Sequence, residues 1–509
     1  MSTKFDASIC TPVDAYERKR LAAVCPSSWN NPEPSGPYQL LIIGAGPAGL
    51  TAAIEAASLG VTVALIERHE IGGTCFNTGC IPSKTLLRTA AVYAEMRDAA
   101  RYGAQAPEDI QVDFAAAMTR LRRIRSHLTN TTSVRLLAAS GVDVFFGKAT
   151  FEGPDRLSVN GQLLQFEKAM IATGARPDIP DVPGLKQAGF LTNTTIFELA
   201  ELPRRLLVIG GGPLGCELAQ AFQRLGSKVT IVQKLPLFLE REERDAAQTL
   251  SDAFARDGIE VRLNTTARNV GVDGNEKVVD LVSDDYHSTI RVDAILTGVG
   301  RLPNVQGLAL EKAGVSYDES AGISVDDQLR TANPRIYAAG DVCLEARYTD
   351  IAEESGRIVV RNALLGGREK LSKLVVPWCT YTDPEIAHVG MYVRDANAQG
   401  VPVKTFTVPM HQVDRSMTDS EQGGFVKIHV LDGTDRILGA TIVSRDAGDM
   451  ISQVTLAMVA GLGMRTLAKV IHAYPTKTAA IRLAAKAYNR TRVSARVVAR
   501  LKRWLARPR

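Results

Sequence analysis

The sequence predicts an α/β protein built from two copies of one parallel-sheet unit, followed by an α+β domain. Three observations carry the prediction. A strand, a glycine turn, a helix and a second strand run from Tyr38 to Glu67. The same pattern returns from Arg205 to Gln233. After Pro377 the chain changes to β-rich segments such as Phe425 to Val430 and Ile437 to Val443, with helical runs from Asp449 and Thr476, as an α+β layer requires.

Residues 1–37 are polar and punctuated by proline, ending in Trp29-Asn30-Asn31-Pro32-Glu33-Pro34. They read as an N-terminal extension that Trp29 pins to the surface. The apolar strand Tyr38 to Ile43 then enters Gly44-Ala45-Gly46-Pro47-Ala48-Gly49, a helix to Gly60, the strand Val61 to Ile66 and Glu67. In that context G-x-G-x-x-G marks a dinucleotide site. Gly44 makes the turn, Gly46 lets the backbone approach a pyrophosphate, and Gly49 lets helix and strand pack closely. The N–H groups of the helix N-terminus face the phosphates, and Glu67 is placed for ribose hydroxyls.

Just beyond lies Gly72-Gly73-Thr74-Cys75-Phe76-Asn77-Thr78-Gly79-Cys80-Ile81-Pro82-Ser83-Lys84. Two cysteines boxed by glycines admit a reversible redox disulfide or a pair of buried free thiols. In an ideal helix residues i and i+5 rise about 7.5 Å, beyond the roughly 4.4–6.8 Å between Cα atoms of a disulfide. The turn Asn77-Thr78-Gly79 must therefore draw the ends together. A helix opening near Cys80 to Pro82 tolerates Pro82 in its first turn and favours thiolate at Cys80.

Ile171-Ala172-Thr173-Gly174 ends the first unit. In the second, Gly210, Gly212, Gly215 and Gly226 fall on Gly44, Gly46, Gly49 and Gly60 without a gap, and Gln233 falls on Glu67. This internal repeat predicts two Rossmann-like dinucleotide-binding units. Gln233 followed by Lys234 replaces an acid with a cation, which suits the 2′-phosphate of NADPH over NADH. Thr297 to Asn304, including Gly300, closes the second unit, and Ile336 to Val342 offers a further glycine turn with Asp341.

Composition sets the class. The chain has 509 residues, net charge +5 and 45% hydrophobic residues, as expected of a soluble globular protein of about three domains. Seven cysteines are too few and scattered for a secreted disulfide framework. The N-terminus lacks a signal-peptide pattern, and no apolar run reaches the roughly 20 residues of a membrane span. A cytoplasmic protein is expected, with no nucleic-acid partner. From Ile451 onward there is no Asp or Glu, and the basic tail 491–509 interleaves Arg492, Arg496, Arg500, Lys502 and Arg503 with Val493, Val497, Trp504 and Leu505. It reads as a solvated extension, with docking on an anionic membrane surface the alternative.

These parts together resemble the FAD-dependent pyridine nucleotide–disulfide oxidoreductases over roughly residues 38–490. Cys216 to Phe222 with Arg224 to Thr230, Tyr381-Thr382-Asp383-Pro384-Glu385 and Tyr474-Pro475-Thr476 resemble the mercuric-reductase branch. The resemblance implies an FAD-binding domain at 38–182 and 308–375, an NAD(P)-binding domain at 183–307, and a dimerisation domain at 376–490. It implies FAD with Glu67 on its adenosine ribose and Asp341 near its ribityl chain, and NADPH or NADH in the second unit. Cofactor contacts also include Gly73, Thr74, Lys84, Thr173, Gly174 and Gly300. Electrons then pass from NAD(P)H through the flavin to a Cys75–Cys80 disulfide. Cys80 is the charge-transfer thiolate and Cys75 the interchange thiol, while Lys84 and its ion-pair partner Glu217 lie beside the flavin. The chain is expected to form a homodimer, with no resident metal.

The departures bear on the acceptor. Disulfide reductases of the family carry a His–Pro near the C-terminus and a Glu five residues after that His; here Tyr474 and Ala479 stand at those positions. Tyrosine, with a reference pKa of about 10, is a poor proton shuttle beside histidine near 6.5. His472, two residues earlier, reads as a structural side chain. Tyr474 thus favours Hg(II) or another thiophilic or small acceptor over lipoamide or glutathione disulfide. The vicinal cysteines that usually end mercuric reductases are missing, since no cysteine follows Cys379, and Cys10 and Cys25 are too far apart for an N-terminal C-x-x-C. A dihydrolipoyl-dehydrogenase-like reductase and a flavoprotein redox sensor or membrane-docked interaction protein are the alternatives.

Overall fold

A computed structural model describes residues 13–492 other than Glu108 and Asp285, and also Ala499, Lys502, Trp504, Leu505 and Ala506. Cys10 and most of the basic tail lie outside the described residues. The chain packs as two compact units. One holds the residues through Phe238 together with Gly258–Leu374; the other holds Leu239–Asp257 and the residues from Val375 onward.

The first unit opens with helix α1 (Ala15–Val24), capped by Asp14, whose carboxylate accepts from the N–H of Glu17 at 2.8 Å. Trp29 then donates from its indole to Val144 O at 3.0 Å and fastens the arm. Strands β1 (Tyr38–Ile43) and β2 (Val63–Glu67) flank helix α2 (Pro47–Ser58). Helices α3 (Gly73–Thr78), α4 (Cys80–Arg97) and α5 (Phe114–Leu128) precede β3 (Val142–Phe146), β4 (Ala149–Gly153), β5 (Arg156–Val159) and β6 (Gln162–Ile171). The sheet order is β3-β2-β1-β6-β5-β4. Strand β6 changes partners along its length. Its first half pairs antiparallel with β5, while its last residues lie parallel between β1 and a late strand, Ile336–Ala338.

The second copy comprises β7 (Arg205–Ile209), α6 (Pro213–Arg224) and β8 (Lys228–Val232). These join β9 (Glu260–Arg262) and β10 (Ala294–Thr297) in a parallel sheet of order β9-β8-β7-β10. The repeat extends to backbone angles. Gly44 has φ +106° and Gly210 φ +113°. A Cβ at these positions would stand 2.3 Å from Ala172 O and 2.4 Å from Gly298 O, so only glycine permits the turn. Helix α7 (Thr349–Leu364) returns to pack on α2: a Cβ on its Gly356 would lie 2.5 Å from Ala48 O.

The second unit is a five-stranded antiparallel sheet of order 377–380, 385–390, 437–444, 425–431, 403–409. Helices Ala447–Val459 and Ala479–Thr491 help bury its core. The strand Ile437–Ser444 is buried at every residue because it lies inside the sheet. The helix Arg244–Asp257 belongs to this unit. Glu242 just before it accepts from Tyr392 Oη at 2.8 Å and Trp378 Nε1 at 3.1 Å.

Candidate active site

Both helices α2 and α6 begin at an extended glycine, Gly46 and Gly212, without a side-chain cap and with proline in the first turn. Their first N–H groups are therefore available to an anion. Glu67 accepts from the N–H groups of Ala45 and His69, both at 2.8 Å. Gln233 accepts from Gly211 N at 3.0 Å in the equivalent place, and Lys234 beside it is exposed. The carboxamide thus reproduces the turn-closing contact of Glu67 without its charge.

The redox segment rests on the first glycine turn. Gly72 N donates to Ala45 O at 2.8 Å, and Gly73, at φ +56°, would place a Cβ 2.7 Å from Gly46 Cα. The sequence reading expects a turn over Asn77-Thr78-Gly79. The segment instead forms the short helix α3, which breaks at Gly79, where φ and ψ are −136° and −110°, before α4 opens on Cys80. Cys75 is half-buried and Cys80 exposed. The hydroxyl of Thr349, first residue of α7, lies 3.2 Å from Cys75 Sγ and 3.4 Å from Cys80 Sγ.

The two sulfurs are electrostatically unequal. The hydrogen bond from Cys75 holds Cys80 as a thiolate, with help from Thr349 and the Lys84 charge, and lowers its pKa to about 6 against the opposing desolvation by protein packed around the sulfur of this surface-reaching residue. Cys75 is pushed up by the proton it shares with Cys80 and then by burial. Lys84 Nζ and Glu217 Oε2 are 2.7 Å apart, with the Glu217 side chain only 4% exposed. One turn of α4 and the buried face of α6 thus bring a cation next to the thiolate.

Around this centre, Asp341 is 3.4 Å from Arg301. Burial raises its carboxyl pKa against the charges of Arg301 and Arg347. Arg301 donates to Ala175 O at 2.7 Å and reaches Thr74 Oγ1 at 3.4 Å. Thr173 and Gly174 are tied to Asn304 by bonds of 2.8 and 2.9 Å, and Gly300 takes φ +144°. Tyr474 lies in the second unit, 80% exposed, its phenol pKa raised by the hydrogen bond it gives Asp414. His472 is engaged with Gln453 at 2.9–3.1 Å, and burial lowers its pKa. Thr349 and Arg347 escape sequence reasoning, as do the contacts made by Arg301 and Asn77. For Thr349 the available signal is its place at the start of an amphipathic helix soon after the Gly340-Asp341 turn.

Comparison with known proteins places this geometry. The family model "Pyridine nucleotide-disulphide oxidoreductase" matches residues 38–362, and that family's dimerisation domain matches residues 376–485. The chain belongs to the pyridine nucleotide-disulphide oxidoreductases. It is 36% identical over 453 residues to a mercuric reductase of Lysinibacillus sphaericus, covering 89% of this chain and 83% of that one. It is 34% identical over 464 residues to a dihydrolipoyl dehydrogenase of Thermus scotoductus, covering 89% and 98%. Among solved structures it is similar to the HOCl-induced flavoprotein disulfide reductase RclA from Escherichia coli, at 33% identity and TM-score 0.79, covering 88% of this chain and 99% of that one. RclA is also known as a Cu(II) complex.

This pyridine nucleotide-disulphide oxidoreductase is an NAD(P)H-dependent flavoprotein enzyme, and its residues fit the cofactors. The uncapped starts of α2 and α6, the open side of Gly46 and Gly212, and the half-buried Asp341 are the features such groups need. The dimerisation-domain match supports a homodimer. Among the described residues no helix is long and apolar enough to cross a membrane, and no group of three or more His, Cys, Asp or Glu is disposed to hold a metal ion.

Proposed function

We propose that this oxidoreductase passes electrons from NAD(P)H through FAD and the Cys75–Cys80 pair to a thiophilic metal ion such as Hg(II), or to another small acceptor. The observation that carries the reading is Tyr474, whose phenol pKa is raised by its bond to Asp414. A phenol is a poorer shuttle of protons to a departing thiolate than an imidazole titrating near neutral pH, whereas two sulfurs accepting a soft metal need no such relay. His472 supports the same reading, since its Nε2 is held by Gln453. The mercuric-reductase relatives and the Cu(II) complex of RclA favour a metal acceptor.

Within this reading 38–182 and 308–375 hold FAD, 183–307 hold NAD(P)H, and 376–490 form the dimer. Bound FAD supplies the two-electron relay between NAD(P)H and the sulfurs. Cys80 keeps negative charge toward the flavin side, Cys75 is the thiol that meets the acceptor, Thr349 orients both, and Lys84 with Glu217 fixes charge beside them. Neutral Gln233 and exposed Lys234 favour NADPH. A cytoplasmic location belongs to the proposal on cysteine usage alone. Dihydrolipoyl-dehydrogenase-like activity is the second reading, favoured by the Thermus scotoductus relative.

Steady-state NADPH oxidation with Hg(II) plus excess thiol, Cu(II), lipoamide or glutathione disulfide decides the acceptor. Turnover with a metal ion, abolished by Cys75→Ser, is the expected result. Faster turnover with lipoamide or glutathione disulfide would overturn the metal reading.

A further inference from the structure

Helix α1 lies outside the residues matched by both family models, yet its side chains reach the redox segment. Arg20, with a 4% exposed side chain, donates to Asn77 Oδ1 at 2.7 Å, Glu70 Oε2 at 2.8 Å and Glu17 Oε1 at 2.7 Å. Arg125 of α5, 1% exposed, donates to the main-chain oxygen of Asn77 at 3.0 Å and to Glu17 Oε2 at 2.7 Å. Asn77 turns its own amide to the carbonyls of Ile71 and Gly73, both at 3.0 Å. At the far end of α1, Val24 O accepts from Ile71 N at 3.0 Å. Asn77 therefore has its side-chain oxygen, side-chain nitrogen and backbone oxygen all engaged, and it belongs to the short helix that separates the cysteines.

Buried ion networks of this kind cost desolvation, and their attested use is to fix register. Glu17 is charged in this setting, because Arg20 and Arg125 lower its pKa against the effect of burial. The planar guanidinium forks of Arg20 and Arg125 each grip Glu17 and Asn77 together, a geometry lysine cannot reproduce.

We propose that Glu17 and Arg20 of α1, with Arg125, are positioning residues for the dithiol: by gripping Asn77 they fix the short helix α3 and so set the approach of its Cys75 to Cys80 at the start of α4. The groups that face the sulfurs directly are Thr349 and Glu353 of α7, Lys84 of α4 and Glu217 of α6. The α1 residues act one step behind them. This role rests on the redox reading of Cys75 and Cys80 but is independent of the acceptor.

The test uses FAD-loaded, full-length, dithiothreitol-reduced protein. Alkylation of Cys80 by iodoacetamide is followed by peptide mass spectrometry from pH 5 to 9, with the dithiothreitol equilibrium of the disulfide measured in parallel. Arg20→Met and the milder Glu17→Gln are compared with Trp29→Phe, which alters the other anchor of the same N-terminal segment. The wild type is expected to alkylate with a midpoint at about 6. Arg20→Met and Glu17→Gln raise that midpoint, slowing alkylation at pH 5 about tenfold with little change at pH 9, because only the thiolate reacts and one pKa unit is tenfold. Their disulfide equilibrium shifts by a similar factor, and Trp29→Phe matches wild type. If Arg20→Met fails to fold, Glu17→Gln carries the comparison alone. Profiles of the folded variants that coincide with wild type overturn the positioning role. A wild-type midpoint near the ordinary thiol value of 9.0 would instead overturn the redox reading and this role with it.

Discussion

Thr349 Oγ1 lies 3.2 Å from Cys75 Sγ and 3.4 Å from Cys80 Sγ, so one hydroxyl is within hydrogen-bond reach of two sulfurs. Thr349→Val keeps the shape and removes the proton. It is expected to raise the Cys80 midpoint by about half a unit to one unit, the scale of a lost hydrogen bond to a charged group, as read by pH-dependent alkylation. The lowered Cys80 pKa also links stability to pH. A thiolate favoured in the fold stabilises the reduced protein fully above the unfolded value of 9.0, and that stabilisation disappears as pH falls through about 6. The stability difference between reduced wild type and Cys80→Ser should therefore grow from pH 6 to pH 9 in denaturant titrations. At this scale the sequence displays Cys75, Cys80 and Lys84, because glycine-boxed spacing is a local pattern. Thr349 is 269 residues from Cys80, and a single threonine carries no pattern that points across such a distance.

The two nucleotide units show what a repeated element makes legible. Their glycines, helices and strands are visible in sequence because each residue type answers a local backbone demand, and the structure reproduces the repeat down to φ at Gly44 and Gly210. Gly44→Ala brings a Cβ against Ala172 O, and Gly210→Ala against Gly298 O. Each should cost roughly 2–4 kcal/mol. Gly44→Ala is expected to release FAD, seen as free flavin fluorescence, whereas Gly210→Ala retains FAD and loses NADPH reduction of it. Helix α1 was hidden for the opposite reason. The side it buries is ionic, with Glu17 and Arg20 inward beside Val24, so no apolar stripe announces a packed helix. The short helix α3 was hidden too, since glycines on both sides of a six-residue stretch read as a turn.

At the scale of the whole molecule, the second unit exposes Leu456, Val459, Ile471 and Tyr474 at 66–86%. Apolar groups so displayed suit a surface meant to be covered, in keeping with the dimerisation-domain match. Light scattering of the purified protein should give twice the chain mass. This unit also carries a pH dependence of its own. Burial raises the Glu385 pKa to about 7, while the Gly448 N–H opposes it. A raised carboxyl pKa contributes stability that is full below the unfolded value and lost as pH rises through about 7. Glu385→Gln should therefore stabilise the protein by about 1–2 kcal/mol at pH 8 relative to pH 5, measured as the shift in unfolding temperature against wild type. The three-part fold class was legible because period and punctuation change along the chain. Inclusion of the helix Arg244–Asp257 in the second unit was not, because tertiary packing decides it.

Strand β6 has a last consequence. Ala169, Met170 and Ile171 are fully buried and paired on both sides, with β1 and with Ile336–Ala338, and the strand runs directly into Thr173 and Gly174. The amides of Ala169, Met170 and Ile171 meet solvent only when the sheet itself opens, so deuterium uptake there would report the global opening free energy while loops exchange within seconds. Comparing that uptake with and without added FAD would express cofactor binding as a change in the slowest breathing motion of the fold.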